Sequence, residues 1–385
     1  MSTTTDKSAA VSNTSMSIPV AAPDLGGTEE RNVLEALRST WISSTGSFLN
    51  RFESEFAKLC ETEGALGVCN GTVALHLALL GLDVRHGDEV LVPSLTYIAT
   101  ANAVRYVGAE PVFVDVDPET WCLDPKLLEA SITRRTKGII AVHLYGHPAD
   151  MDAIKHVAAV HGLWVVEDAA EAHFARYKGR PTGGLGDLGT FSFYGNKIIT
   201  CGEGGAVNVN NKHLELRLRT LRGQGMDPQR RYYFPVTGYN FRLTNLAAAI
   251  LCAQLDRREE ILAGRQRVFT AYEELLAGIQ GIGFQPIAPW AERAPWMFCI
   301  TVNTGEYGRS RDELMSLLSE KGIETRPFFL PLHKLPPFRI ESKSRGENLP
   351  ITDALSESGI NLPTFAAITD SELDYVANAI RKLQR

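Results

Sequence analysis

Apolar positions along the chain follow two alternating rhythms. Short runs rich in β-branched residues, at 89–93, 111–115, 138–144 and 163–167, alternate with segments whose apolar residues recur at helical spacing, at 99–107, 125–132 and 151–160. Upstream, residues 28–39 read as a helix with Thr28 as a cap and Val33, Leu34 and Leu37 on one face, and Phe48, Phe52, Phe56 and Leu59 form a second apolar stripe fit for a core. Ala65–Cys69, the turn Asn70-Gly71-Thr72 and a helix at 73–82 repeat the strand, turn and helix order. This alternation predicts an α/β fold: a large, mainly parallel sheet covered by helices on both faces.

The pattern changes after a strand at 206–209 and a helix at 214–221. Residues 243–276 predict one or two long helices, with Gly278 placed to stop them, and strands at 298–302 and 323–326 with helices at 311–321 and 371–383 predict a smaller C-terminal α/β domain. The expected division is a Ser- and Thr-rich disordered tail over 1–18, a large domain over 19–257, and a bridging helix with the small domain over 258–385.

A chain of 385 residues suits this division, being too long for one small core. Its net charge of −6 argues against nucleic acid or an anionic membrane as partner, so any phosphate must be met by a local site. The six cysteines are scattered without a CxxC pair, and nothing suggests a metal. The first residues lack a signal peptide's basic and apolar regions, and no apolar run reaches membrane-spanning length; a cytoplasmic protein is expected.

Ligands in such sheets lie beyond the carboxyl ends of the strands. Asn70-Gly71-Thr72, Ser94-Leu95-Thr96-Tyr97 and Asp168 all follow strands in that sense. The turn at Gly71 opens a helix whose free N–H groups would suit an anion, although many plain structural turns look the same. Gly184–Gly189 matches G-x-G-x-x-G, but no strand precedes it and β-prone sequence follows, so it reads as a loop. His143 and His147 have metal-like spacing on a helix, yet strand and Gly146 interrupt it, and a structural role is expected.

A lysine that attacks a carbonyl points to an aldehyde cofactor, and pyridoxal 5'-phosphate (pyridoxamine 5'-phosphate in the half-reaction) needs further groups around it. Asp168 would face the ring nitrogen, Tyr97 would stack, and Gly71, Thr72 and Ser192 would meet the phosphate. Each also has a plain reading as cap, core aromatic or turn.

Glu167-Asp168-Ala169-Ala170-Glu171, Phe191-Ser192-Phe193-Tyr194-Gly195-Asn196-Lys197, Gly202-Glu203-Gly204-Gly205 and Gly238–Asn245 resemble the motif set of the DegT/DnrJ/EryC1/StrS family of nucleotide-sugar aminotransferases, from Pro19 to the C-terminus. The resemblance implies a fold type I pyridoxal phosphate-dependent enzyme working as a homodimer with shared active sites. It implies Lys197 as the Schiff-base lysine and general acid/base, Asp168 as the pyridinium partner, Tyr97 as the stacking ring, and Glu171 near the cofactor's 3-hydroxyl. Gly71, Thr72 and Ser192 would hold the phosphate, joined by Asn240 of the neighbouring subunit.

A second set of motifs, including Thr40–Ser44, Pro93–Ala99, Leu221–Pro228 and Thr325-Arg326-Pro327, resembles members that move glutamate's amino group to C4 of a nucleotide-linked 4-keto-6-deoxy sugar, GDP-4-keto-6-deoxy-mannose foremost. Trp41, Ser43, Arg222, Arg231, Arg326 and His333 are the substrate candidates, Arg222 and Arg231 with Arg230 forming a basic cluster fit for a sugar diphosphate. Arg222 and Arg231 read equally well as part of a solvated interface loop, and the roles of Arg326 and His333 are as open. Phe174 departs from the family, whose members usually have Gly there, and a bulky ring near the site bears on which sugar is taken. The alternatives are an enzyme for a UDP- or dTDP-linked ketosugar, a pyridoxamine-dependent dehydratase, which would have His in place of Lys197, and a non-catalytic pyridoxal phosphate-binding regulator, for which no DNA-binding module is seen.

Overall fold

Seven short strands, buried almost throughout, form the central sheet of the computed structural model, which describes residues 17–385. They are β1 (Gly64–Val68), β2 (Glu89–Pro93), β3 (Glu110–Val114), β4 (Thr136–Val142), β5 (Trp164–Asp168), β6 (Leu188–Ser192) and β7 (Gly205–Val209). Their spatial order is β1-β7-β6-β5-β4-β2-β3, with only β7 antiparallel to its neighbours. Apolar side chains on both faces explain the unbroken hydrophobic runs, because helices cover the sheet twice.

On one face lie α1 (Thr28–Arg38), α2 (Ser47–Leu59) and, later in the chain, Asn245–Asp256, around Phe52, Phe56 and Leu251. On the other lie α3 (Gly71–Gly81) and α4 (Ala99–Tyr106), with Leu77, Val104 and Val207 in the core between. Gly27 rather than Thr28 stands at the cap of α1, and Thr28 is its first helical residue. The helix expected at 125–132 is a 3-10 turn, Pro125–Leu127, followed by a single α-turn, Leu128–Ser131.

The long apolar stretch resolves into two helices, α5 (Asn245–Asp256) and α6 (Arg258–Leu276), broken at Arg257. Helix α6 joins the two parts of the molecule: Ile261 packs in the large core, while Val268, Phe269 and Tyr272 enter the small one. There β8 (Ile282–Phe284), β9 (Phe298–Val302), β10 (Arg326–Pro327) and β11 (Gly359–Leu362) form an antiparallel sheet in the order β8-β9-β11-β10. Most of the tail expected over 1–18 lies outside the described residues. Its last member, Ile18, is buried and exchanges backbone hydrogen bonds with Gly322 and Glu324 of the small domain.

Of the run Gly184–Gly189 expected as a loop, Leu188 and Gly189 already belong to β6, and the part before them is a loop that does bind an anion, but one of the chain's own. The Glu167 carboxylate accepts the N–H groups of Gly183, Leu185 and Gly186 at 2.6–2.7 Å, and His143 Nε2 stands 3.0 Å away. His147 is likewise engaged, Nδ1 with the Pro148 carbonyl and Nε2 with the Ala288 N–H. No helix among the described residues is long and apolar enough to cross a membrane.

Candidate active site

The carboxyl ends of β1, β2, β5 and β6 open into one cavity of about 630 Å³, closed on its far side by the small domain. After β1, Asn70 caps α3 by accepting the Val73 N–H, and the first N–H groups of the helix, at Gly71 and Thr72, have no partner within it. Ser192 ends β6 opposite. A Cβ added at Gly71 would stand 2.6 Å from the Ser192 Cβ, so this corner is a cradle that only glycine leaves open. Thr96 and Tyr97 follow β2.

Asp168 is the last residue of β5, flanked by Val142 and Thr190 in register on the neighbouring strands. Its Oδ2 accepts Thr100 Oγ1 at 2.8 Å and its Oδ1 the Ala170 N–H at 3.3 Å. Burial raises its pKa, while those two bonds and the Lys197 charge pull it back. Glu171 is buried too, and its Oε2 accepts the Tyr145 N–H at 2.8 Å. Burial pushes it up to about 7, against the attraction of Lys197.

Lys197 lies on the loop after β6, where its N–H is tied to the Tyr194 carbonyl. Burial depresses its pKa, opposed by Glu171 and Asp168. The site thus holds one amine eased toward its neutral, nucleophilic form beside two carboxyls resisting ionisation.

Of the expected residues, Gly71, Thr72, Tyr97, Asp168, Glu171, Ser192, Lys197 and Arg326 line the cavity. The rest do not. Arg222 is buried elsewhere, its Nη1 bound to Glu53 and to the Gly67 carbonyl, bracing β1 in place of an open contact. His333 bonds Ser94 Oγ through Nδ1 at 2.8 Å and has Asp353 at 3.5 Å, which fastens β2 to the segment beyond β10. Trp41 and Ser43 give their carbonyls to Asn245. Arg231 lies over its neighbour Tyr232 and Asn240 is exposed, both off this chain's cavity. Phe174 does not crowd the cavity: it takes a left-handed φ of 66° and packs beside His173 against the large core.

The sequence reading missed Thr100, Tyr145, Trp296 and Phe329, all of which line the cavity. Thr100 carried a usable signal, a hydroxyl in the first turn of α4 after the β2 loop. Trp296 and Phe329 reach the site from the small domain and carried none.

A carboxylate at a strand end, an amine on the next loop and an open helix N-terminus define a pyridoxal phosphate-dependent aminotransferase of fold type I. Residues 23–381 match the DegT/DnrJ/EryC1/StrS aminotransferase family, and the chain belongs to it. It is 49% identical to a GDP-perosamine synthase of Caulobacter vibrioides, over 94% of this chain and 97% of that one. To the GDP-perosamine synthase of Escherichia coli O157:H7 it is 43% identical, over 95% and 98%. The crystal structure of DesI in the presence of its TDP-sugar product superposes with a TM-score of 0.88 at 33% identity, over 96% of this chain and 93% of that one. The chain is a nucleotide-sugar aminotransferase, and its cofactor is pyridoxal phosphate.

Proposed function

We propose that this enzyme transfers the amino group of glutamate to the C4 keto group of GDP-4-keto-6-deoxy-mannose, giving GDP-perosamine. The observation that carries this reading is 49% identity, spread over nearly the whole of both chains, to a protein named for that product. Bound pyridoxal phosphate supplies an electron sink and a carrier for the amino group.

The residues of the chain then divide the work. Lys197 Nζ would hold the cofactor aldehyde and would serve as the base and acid that moves a proton at the reacting carbon, a task suited to a lysine of depressed pKa. Asp168, oriented by Thr100, would hold the ring nitrogen, whose positive charge would restore the ionised carboxylate that burial disfavours. Tyr97 would cover the ring, Glu171 would stand toward its hydroxyl, and Gly71, Thr72 and Ser192 would take the phosphate at the N-terminus of α3. Arg326, on the cavity wall from β10, is the cation for an anionic part of either substrate.

We assign Asn240 to the phosphate of a second copy's site. In support, it is exposed and off its own cavity, and it follows a wholly exposed run, residues 228–237, that presents Tyr232, Tyr233, Phe234 and Val236. Apolar surface of that kind favours a protein partner, here a homodimer.

The test is turnover with glutamate and a panel of GDP-, UDP- and dTDP-linked 4-ketosugars, with Lys197→Ala as control. The GDP-linked sugar should be preferred by at least about tenfold in kcat/KM, roughly 1.4 kcal/mol of transition-state discrimination, and Lys197→Ala should be inactive but folded. Preference for a dTDP- or UDP-linked sugar would overturn the assignment in favour of the second reading, which the likeness to DesI with its TDP-sugar product supports.

A further inference from the structure

The Lys197 ammonium has an unusual partner. Its Nζ stands 4.0 Å from the centre of the Trp296 ring, well inside cation–π range. Of the four oxygens of the two acids that attract it, three already hold other donors. Glu171 Oε2 takes the Tyr145 N–H, and both Asp168 oxygens take donors from Thr100 and Ala170, so these acids attract the amine without closing on it. His173 faces the same charge and is held neutral, pushed down to about 3 by burial and then by Lys197 itself. Glu203 lines the cavity as well.

Trp296 is in turn fixed from several sides. It is buried, and its Nε1–H donates to the carbonyl of Asn196, the residue before the lysine, at 2.9 Å. Its own carbonyl accepts Arg265 Nη1 at 2.9 Å, and that buried guanidinium, on α6, also reaches the Thr364 carbonyl. Tyr145 lies nearly parallel to the indole at 6.2 Å. The indole therefore has little freedom to leave the lysine.

We propose that Trp296 is a positioning residue for the site amine: its indole face holds the Lys197 ammonium without a hydrogen bond, and its N–H pins the loop that carries the lysine. This rests on Lys197 being the amine that captures the cofactor. The physical advantage is that a cation held on a ring can pass its proton to water and attack a carbonyl, whose oxygen leaves as water when the C=N bond forms, without first breaking an ion pair. The small domain, through α6 and the segment before β9, thereby sets where the lysine waits.

The experiment follows the rate of covalent capture of pyridoxal phosphate by the cofactor-free protein, by visible absorbance, as a function of pH. Only the neutral amine attacks, so the inflection reports the lysine's titration. Trp296→Leu removes the ring, destabilises the cation and should move the inflection about one pH unit lower. Trp296→Phe, which keeps a ring but loses the N–H, should keep the inflection and lower the plateau rate severalfold. Trp296→Met provides the same readout as Leu if the Leu protein does not fold. An unmoved inflection in the Leu or Met protein, or equal shifts in Leu and Phe, overturns the role of Trp296. Failure of the wild type to capture the cofactor, or capture by Lys197→Ala, instead overturns the assignment of Lys197.

Discussion

Glu171 is the residue whose charge state is most open to experiment. Burial lifts its pKa from an ordinary 4.5 to about 7, so in the cofactor-free protein its acid form is favoured by folding and its anion is not. A group whose folded pKa is raised contributes stability fully below its unfolded pKa and loses that contribution as pH climbs through the folded one. Replacing it by Gln removes the titration. The unfolding free energy of wild type minus that of Glu171→Gln should therefore fall as pH rises from about 4.5 to about 7, by at most about 3 kcal/mol, and be flat on either side. Urea unfolding of both cofactor-free proteins at several pH values checks this, and parallel profiles would contradict it. Lys197 moderates the effect, since its positive charge favours the Glu171 anion.

At the scale of elements, the strand ends and turns that carry Asp168, Ser192, Gly71 and Tyr97 were legible because each is a local event: an apolar run, then a residue that breaks it. The direction of β7 is a different matter. A buried strand looks alike whether parallel or antiparallel, although the connection at 193–204 has no helix to carry a parallel crossover and so held the answer. Trp296 was illegible because it lies 100 positions beyond Asn196, the residue before Lys197, and only the packing of one domain on the other joins them. The Gly183–Gly186 loop shows how a motif can be chemically right and functionally misleading, since its N–H groups do cradle an anion, the Glu167 side chain. Glu167→Gln keeps one acceptor oxygen but turns an NH₂ toward donors, and hydrogen bonds to charged groups contribute about 1.5–3 kcal/mol each. Losing part of this set should cost about 2–4 kcal/mol in chemical unfolding and leave the lysine loop in place. A loss below about 0.5 kcal/mol would show that the loop holds itself.

For the whole molecule, the decisive question is whether one chain completes its own site. The residues at the cavity come from both domains of a single chain, yet Asn240 stands exposed outside it, next to the exposed, aromatic-bearing run of residues 228–237. If a second copy brings its Asn240 to this chain's phosphate corner, two differently damaged chains can repair each other. Asn240→Asp should be nearly inactive, because its carboxylate would face a phosphate, and Lys197→Ala inactive outright. Mixed in equal amounts and reassembled at random, half of the dimers contain one chain of each kind. Each such dimer has one site with an intact Lys197 from the first chain and an intact Asn240 from the second, so about a quarter of the wild-type sites return. Activity rising to that level on mixing is the expected outcome. A mixture no more active than its two parents, at a concentration where mixed dimers are detected by tagged pull-down, would mean that Asn240 serves its own chain or none.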